Sequence, residues 1–283
     1  VYTSDVHYVL FTEVSIRSAY VKAARPENLV THVFDCGIPD ADWDAFSKRL
    51  ETTLPTPSHL VRHRIDMTRY QALRMWKGRS LATYTRLSPA SILPDLDWIL
   101  FVDGDTLFMD DPEVLLASRD ENAALVGYLD TEAEENFKRP WYAEHGRVLL
   151  ERKGPYVCCG VVLMNLKWFR KHDAEARCLQ LMEECPDAPF VDQDVLNIVC
   201  AGHTMILPDG WGAYAFLYWK HPVDYYKCIH YTGIVPWAQW FSWRVGYLDI
   251  AAVWVYSARV LMGLPIRDLV RKPLWQWVLG RSY

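Results

Sequence analysis

The sequence predicts an α/β fold in which a mostly parallel sheet carries helices on both faces. Five short apolar runs, rich in aromatic and β-branched residues, are typical of buried strands and lie at 1–4, 29–35, 60–65, 98–102 and 123–129. Helix-like stretches at 13–24 and 42–50 separate the early runs, which gives the βαβ alternation of a parallel sheet. Since 51% of the 283 residues are hydrophobic, the chain can bury a sizeable core.

The second half of the sequence contains further strand and helix patterns. Residues 130–153 are polar and charged, which predicts a loop with some helix. The apolar run 156–166 predicts another buried strand. At 192–200 a helix is expected, with Asp192 near its N-terminus, where a carboxylate suits the helix dipole.

Charge and cysteine content exclude several classes of protein. The net charge of -5 gives no sign of a nucleic-acid partner. No run of about 18 apolar residues occurs, so we expect no transmembrane helix. Seven cysteines without a C-x-x-C spacing indicate reduced thiols in a cytoplasmic protein. The first apolar run reads as a strand already in progress, so we expect a few native residues to precede Val1.

The triplet Asp103-Gly104-Asp105 follows the apolar run 98–102 directly. Two carboxylates one residue apart at the carboxyl end of a strand can both reach one hard cation, and ligands bind at that end of open α/β sheets. Aspartates are also common in strand-to-loop turns, so the triplet alone leaves a turn and a site both open.

Four other segments stand with this triplet in a specific order. They are a strand at 159–166, a helix start at 192–197, a loop at 230–237 and the residues 4–8 after the first strand. Together they resemble glycosyltransferase family 8, which includes bacterial lipopolysaccharide galactosyl- and glucosyltransferases. The resemblance implies the GT-A fold, a Rossmann-like, mostly parallel mixed sheet with flanking helices. It covers 1–237 and leaves 238–283 as a basic, aromatic, helical extension.

The resemblance implies a metal site and a nucleotide-sugar donor. Asp103 and Asp105 match the family's first two metal ligands, and His230 matches the third. Two carboxylates with one imidazole suit Mn²⁺ better than Mg²⁺, although Mg²⁺ stays open, because imidazole is the softer ligand. Gly104 and Gly233 belong to the same two motifs and are assigned to donor binding.

Three further residues match the family's contacts with the donor. Asp5 and Tyr8 match the uridine site, where the tyrosine stacks on the base and the aspartate accepts a hydrogen bond from it. Arg86 matches an arginine that reaches the donor. The expected donor is a UDP-sugar carrying galactose or glucose, and the expected acceptor is a saccharide or a glycolipid.

The expected catalytic residues surround the transferred sugar. Asp130, Asp192 and Gln193 match the residues that hold its hydroxyl groups, with Gln193 beneath the anomeric carbon. Because a glutamine is a poor nucleophile, the resemblance implies retention by front-face substitution, with the leaving UDP helping to deprotonate the acceptor. Covalent catalysis would require a carboxylate, for which Asp192 is the nearby candidate.

Two positions depart from the family pattern. The loop after His230 is one residue shorter than usual, and Val235 stands where the family has a lysine that grips the donor phosphates. Lys227, Arg244 or Arg86 would then have to meet the phosphate charge. Cys158 stands where an asparagine usually contacts the donor sugar, and a thiol is the weaker hydrogen-bonding group.

Two other functions remain open at this point. A haloacid-dehalogenase-like phosphohydrolase also has two aspartates after an apolar strand, but it places them on the first strand. A degenerate nucleotide-sugar-binding module without turnover would explain the missing lysine and asparagine.

The last 47 residues have a composition of their own. They carry six of the 13 tryptophans and six Arg or Lys against two acids. Cationic and aromatic residues together suit peripheral association with an anionic membrane, mainly through Arg271, Lys272, Trp275 and Trp277. A helix pair packed on the domain is the alternative.

Overall fold

The computed structural model describes residues 1–73, 80–151, 153–217, 220–232 and 247–263. Within these ranges the strands form two sheets, one with the order β3-β2-β1-β4-β7-β6-β8 and a smaller one with the order β5-β10-β9. The strands are β1 (Tyr2–Ser4), β2 (Thr31–Asp35), β3 (Leu60–Arg64), β4 (Trp98–Val102), β5 (Thr106–Phe108), β6 (Leu125–Leu129), β7 (Val157–Asn165), β8 (Thr204–Ile206), β9 (Trp211–Tyr214) and β10 (Cys228–His230).

The larger sheet is mixed but mostly parallel, as the sequence predicts. Strands β1 to β4 run parallel, and β7 runs antiparallel to both β4 and β6. The chain adds β2 and β3 on one side of β1 and then returns to β4 on the other side. This reversal opens a crevice at the carboxyl ends of β1 and β4, which is where open α/β sheets bind ligands.

The helices cover both faces of this sheet. They are α1 (Val9–Lys22), α2 (Asp40–Leu50), α3 (Pro89–Ile92), α4 (Ala133–Asn136), α5 (Pro140–Glu144), α6 (Arg147–Leu150), α7 (Leu166–Lys171), α8 (Ala174–Glu184), α9 (Asp192–Val199) and α10 (Tyr247–Met262). One core cluster contains α8 and α9 residues such as Met182 and Leu196, and another contains Ile16 of α1 and Phe46 of α2. All nine residues of β7 are buried, because both of its faces are covered.

Helix α1 backs directly onto the segment after β4. Its buried serines, Ser15 and Ser18, both have hydrogen-bond partners on that segment, as buried polar groups generally require. The hydroxyls of Ser15 and Thr106 lie 2.6 Å apart, and Ser18 Oγ accepts the backbone N–H of Phe108 at 2.9 Å. A Cβ added to Gly104 would lie 2.6 Å from Thr12 Oγ1. A glycine between the two aspartates therefore lets this loop lie against the helix.

The small sheet brings a distant histidine to the same loop. Strand β10 pairs antiparallel with β5, and His230 lies opposite Thr106. The next residue, Tyr231, donates its backbone N–H to the carbonyl of Asp105 at 2.8 Å. This register fixes the end of β10 beside Asp103 and Asp105.

The predicted strands agree well with the structure, and α9 begins at Asp192 as predicted, whereas α1 and α2 begin earlier than predicted. The strand at 98–102 matches residue for residue, whereas 29–35 begins two residues early. Helix α1 begins at Val9, before the predicted 13, and follows a turn in which Asp5 Oδ1 accepts the backbone N–H groups of His7 and Tyr8. The expected loop and helix at 130–153 contains three short helices, α4 to α6.

The described part of the C-terminal extension is helix α10. Its Trp254 packs on Phe11 of α1 with ring centroids 6.1 Å apart, and Tyr231 Oη donates to the carbonyl of Ile250 at 2.9 Å. The boundary near 237 and the tail from 264 onward lie outside the described residues. Among the helices that the structure describes, none combines the length and the apolar character needed to cross a membrane.

Candidate active site

Three side chains from two sheets converge on one point. Nε2 of His230 lies 3.6 Å from Oδ2 of Asp103 and 3.3 Å from Oδ1 of Asp105. One oxygen or nitrogen atom from each residue falls within 4.8 Å of those of the other two. The backbone N–H of Asp103 donates to the carbonyl of Gly160 at 2.8 Å, which ties the loop to β7.

This cluster fits a divalent cation. The imidazole of His230 is buried, and within the described chain its Nε2 makes no well-formed hydrogen bond although two carboxylates face it. A buried nitrogen without a hydrogen bond costs free energy unless something else binds it. Two carboxylate oxygens and one imidazole nitrogen, gathered at one place and open to a cavity, are a plausible ligand set for such an ion.

The electrostatics of the cluster follow from burial. Burial raises the pKa of Asp103 to about 6; Arg86 opposes this rise and Asp105 adds to it. Burial would lower the pKa of His230, but the charge of Asp105 and the neighbouring Cys158 raise that pKa well above its ordinary value. The cluster thus concentrates negative charge around the imidazole, which favours a positive occupant.

The ring of His230 rests on a glycine. A Cβ built on Gly160 would lie 2.1 Å from Cε1 and 2.6 Å from both ring nitrogens. No side chain fits at this position while the ring keeps its place. Gly160, the fourth residue of β7, is therefore required by the histidine that packs on it.

Arg86 joins the group of Asp103, Asp105 and His230, here called the cation cluster, to the start of α9. It lies in a short helical segment, Leu81–Leu87, where its guanidinium forms ion pairs with both Asp103 and Asp192 and lies 5.0 Å from the centroid of Phe101. Burial would lower the pKa of Arg86, but the two carboxylates raise it further above its ordinary value. Thr83 Oγ1 donates to the other oxygen of Asp192 at 3.1 Å.

A second group of polar side chains fixes Gln193 in one orientation. Its Nε2 donates to Asp130 Oδ2 at 2.9 Å and to Tyr156 Oη at 3.2 Å. Its Oε1 accepts the backbone N–H of Cys159 at 3.2 Å. Burial raises the pKa values of Asp130 and Asp192, which flank this amide.

Beneath Gln193 lies a fully buried carboxylate. Asp194 Oδ1 accepts the hydroxyls of Tyr142 and Tyr156 at 2.8 and 2.6 Å, and its Oδ2 accepts the backbone N–H of Phe190 at 2.7 Å. Burial raises the pKa of Asp194 to about 6. Through Tyr156, this aspartate supports the amide that faces the cavity.

The turn into α9 is strained. Val191 has φ 42° and ψ -112°, a left-handed conformation that a β-branched side chain rarely adopts. Such a residue persists only where its surroundings hold it, and these sites are concentrated where function demands a particular geometry. Here it delivers Asp192 and Gln193 to the cavity wall.

Two adjoining cavities run along these residues. One, of about 320 Å³, is lined by Asp5, Tyr8 and the triplet 103–105. The other, of about 290 Å³, is lined by Asp130, Asp192, Gln193 and His230 among others. Thr83, Arg86 and Asp103 line both. The cation cluster therefore stands where the two cavities meet.

Nearly all of the predicted site residues come together here. Both cavities combined are lined by ten of them: Asp5, Tyr8, Arg86, Asp103, Gly104, Asp105, Asp130, Asp192, Gln193 and His230. Gly233, together with Val235 and Arg244, lies outside the described residues. Lys227 pairs with Asp110 at 3.2 Å at the opposite end of β10 and lines neither cavity. It is therefore a poor candidate for the phosphate-binding cation.

Sequence reasoning assigned no role to several contributing residues. Asp194 was visible as a second carboxylate in the motif at 192–197, but its burial under two tyrosines depends on tertiary structure. Tyr156 and Tyr214 carried no local signal of function. Thr83 lies in the segment around Arg86, and only the fold shows that its hydroxyl reaches Asp192.

Comparisons with known proteins agree with this architecture. The sequence profile of Glycosyl transferase family 8 matches residues 1–241. A lipopolysaccharide 1,2-glucosyltransferase of Escherichia coli (strain K12) is 26% identical over 266 residues, which cover 88% of this chain and 76% of that protein.

Solved structures show the same fold. The galactosyltransferase LgtC, solved with donor and acceptor sugar analogues, superimposes with a TM-score of 0.75 at 22% identity, over 93% of this chain and 96% of LgtC. The glycosyltransferase GlyE of Streptococcus pneumoniae TIGR4 matches with a TM-score of 0.63 at 17% identity, over 96% of this chain and 64% of GlyE.

We predict that Gly160→Ala disrupts the cation cluster. The new methyl group displaces the His230 ring, so the affinity for Mn²⁺ measured by calorimetry should fall by about 10-fold or more, with a lower unfolding temperature. In the double variant Gly160→Ala/His230→Ala the clash is gone. The unfolding temperature should recover there while Mn²⁺ affinity stays low. Normal Mn²⁺ binding by the single variant would contradict this account.

A second prediction concerns the buried carboxylate of Asp194. Its folded pKa of about 6 exceeds the ordinary 3.8, so the folded state binds the proton more tightly than the unfolded state. The stabilisation is complete below about pH 4 and is lost as the pH rises to about 6, with a change of at most about 3 kcal/mol. Asp194→Asn should flatten this slope in urea unfolding followed from pH 4 to 7.

The slope is the measurement, because the asparagine also lowers stability at every pH: its amide nitrogen replaces one of the two oxygens that accept hydrogen bonds from Tyr142, Tyr156 and the Phe190 N–H. Asp44→Asn on the exposed side of α2 is the matched control and should reproduce the wild-type slope. Parallel curves for Asp194→Asn and wild type would show that Asp194 does not titrate in this range.

Proposed function

Because the chain belongs to glycosyl transferase family 8, we propose that this glycosyltransferase moves a hexose, galactose or glucose, from a UDP-sugar to a saccharide or glycolipid acceptor. The observation that carries the proposal is the cluster of Asp103, Asp105 and His230 at the junction of two cavities. A nucleotide on one side of the cluster and a sugar on the other would place the bond to be broken beside it.

In this proposal the three clustered side chains hold a divalent cation, Mn²⁺ in preference to Mg²⁺. The imidazole nitrogen is the reason for that preference. When bound, such an ion offsets the negative charge that develops on a leaving diphosphate. Arg86 and the Gly160 carbonyl fix the side chain and the backbone of Asp103 in this cluster.

The nucleotide would occupy the cavity at the end of β1. Tyr8 is 37% exposed at this cavity, and its ring can cover a uracil face. Oδ1 of Asp5 accepts the N–H groups of His7 and Tyr8, so it holds the loop on which the tyrosine stands. We propose that Oδ2 accepts from the base, while Oδ1 keeps its structural hydrogen bonds.

The sugar would occupy the second cavity, where Asp130, Asp192 and Gln193 line the wall. We propose retention of configuration by front-face substitution. Both Gln193 amide atoms are engaged, the oxygen by Cys159 N–H and the nitrogen by Asp130, which makes the amide a poor nucleophile. Asp192 is the carboxylate alternative, but its ion pair with Arg86 and its bond from Thr83 weaken its nucleophilicity.

The acceptor would enter from the loops around the second cavity. Glu132, Asn136 and Phe216 line this cavity and belong to the segments 131–152 and 211–222, where the family resemblance places the acceptor loops. The Escherichia coli relative is named for action on lipopolysaccharide. We propose that this chain likewise takes part in lipopolysaccharide biosynthesis.

The proposal predicts UDP release that depends on both the donor sugar and the cation. A panel of UDP-sugars, with Mn²⁺, Mg²⁺ or EDTA, should show turnover with UDP-galactose or UDP-glucose in Mn²⁺ and none in EDTA. Asp105→Asn should lower this rate by about 100-fold or more at an unchanged unfolding temperature, because one ligand charge is lost. The control Asp110→Asn lies on the same segment outside both cavities and should keep the wild-type rate.

Each other function gives a distinct result in that panel. Donor binding without UDP release under any acceptor would identify a nucleotide-sugar-binding module. Release of phosphate from a generic ester with Mg²⁺, without donor hydrolysis, would identify a phosphohydrolase. Wild-type turnover by Asp105→Asn would remove the metal role of the triplet.

We also propose that the chain divides into a catalytic domain, 1–237, and an extension, 238–283, whose basic and aromatic tail attaches to an anionic membrane from the cytoplasmic side. The described helix α10 exposes Tyr256 and Val260 beside Arg259, which supports such a surface. A version ending at Pro265 should bind liposomes containing anionic lipids more weakly than the full chain. Equal binding would exclude the tail as the anchor.

A further inference from the structure

Cys158 lies in the wall of the second cavity, the one proposed to hold the sugar and called the sugar cavity below. Its sulfur is turned toward His230. The residue is 2% exposed, and its Sγ lies 3.6 Å from Nδ1 of the histidine. The backbone N–H of Gly160, under the same ring, donates to this sulfur at 3.4 Å. The thiol therefore contacts the edge of the imidazole that faces away from Asp103 and Asp105.

The sulfur already accepts one hydrogen bond at this position, from the backbone N–H of Gly160. The distance of 3.6 Å between Sγ and Nδ1 lets the same sulfur accept from the ring when Nδ1 carries a proton. When the Nε2 lone pair of a neutral imidazole binds a cation, the one ring proton is on Nδ1 and faces this sulfur.

We propose that Cys158 is a positioning residue for His230. Its sulfur accepts the Nδ1–H, so the neutral imidazole carries its lone pair on Nε2, the atom that faces Asp103 and Asp105. The inference rests on the metal role proposed for His230, and it adds the partner that selects the metal-binding tautomer. Metal-ligating histidines generally donate their second ring N–H to such a partner.

Three constraints then fix the ring. Gly160 supports its face, Cys158 contacts the Nδ1 edge, and the carboxylates lie at the Nε2 edge. Because the sulfur is at the far edge of the ring, it lies outside the set of three ligand residues. The cysteine in place of the family's asparagine thus has a contact of its own, with the histidine, besides its place in the wall of the sugar cavity.

The test measures the tautomer and the metal affinity separately from turnover. Nitrogen-15 NMR of histidine-labelled protein, recorded without metal at a pH above the raised pKa of His230, reports which nitrogen of the neutral ring carries the proton. Diamagnetic Mg²⁺ is then added, and the resonance is assigned from its loss in His230→Ala. Mn²⁺ affinity is measured by electron paramagnetic resonance without any donor. The variants are Cys158→Ala and Cys158→Ser, and Cys159→Ala is the control, because its sulfur contacts Val157 O instead.

We expect Cys158→Ala to lose the preference for the Nδ1–H tautomer and to weaken Mn²⁺ binding by about 10-fold. Cys158→Ser should regain part of both, since a hydroxyl oxygen also accepts, and it guards against a packing defect in the alanine variant. Cys159→Ala should keep the wild-type tautomer and affinity. Thermal unfolding checks that each variant is folded.

Two results would overturn the inference and are distinguishable. If wild type binds Mn²⁺ and Cys158→Ala matches it in affinity and tautomer, Cys158 does not position His230, while the metal role stands. If wild type binds no Mn²⁺ and its His230 resonance is unchanged by Mg²⁺, the metal role fails and the inference fails with it.

Discussion

The site depends on one buried guanidinium. Arg86 forms ion pairs with Asp103, at the end of β4, and with Asp192, at the start of α9, so it joins two elements that are otherwise far apart in the chain. Burial of several carboxylates in one crevice is unfavourable unless positive charge compensates them. Arg86 supplies that charge from the interior. The cluster of Asp103, Asp105 and His230 and the cavity lined by Gln193 can then be adjacent.

The carboxylates that Arg86 does not contact determine which ligands the crevice attracts. Arg86 offsets Asp103 and Asp192, whereas Asp105 faces His230 and Asp130 faces the amide of Gln193. The crevice is therefore short of positive charge at the His230 end. A cation bound there would complete the compensation and, by the same charge, make the crevice attractive to a diphosphate. Arg86 thus compensates two of the carboxylates, and the charge of Asp105 beside His230 is left for a cation to compensate.

Much of this could be predicted from the sequence, and the part that could not has a physical cause. The triplet 103–105 follows a strand whose bounds the apolar pattern gives residue for residue, and His230 was placed by its motif. The contact between Cys158 and His230 joins β7 of the larger sheet to β10 of the smaller one, across 72 positions of the sequence. Because it depends on how the two sheets pack together, no local pattern reports it.

The site also shows how a fold holds a geometry that its local sequence disfavours. Val191 is held at a positive φ, and Asp194 is buried with a pKa of about 6, yet both lie directly beside Gln193. Such features cost stability, and the apolar packing of α8 and α9 offsets that cost. As a result, hydrogen bonds hold both the oxygen and the nitrogen of the Gln193 amide in place before a substrate binds. Preorganised dipoles of this kind need no reorganisation during reaction, which is the condition under which they stabilise a transition state most effectively.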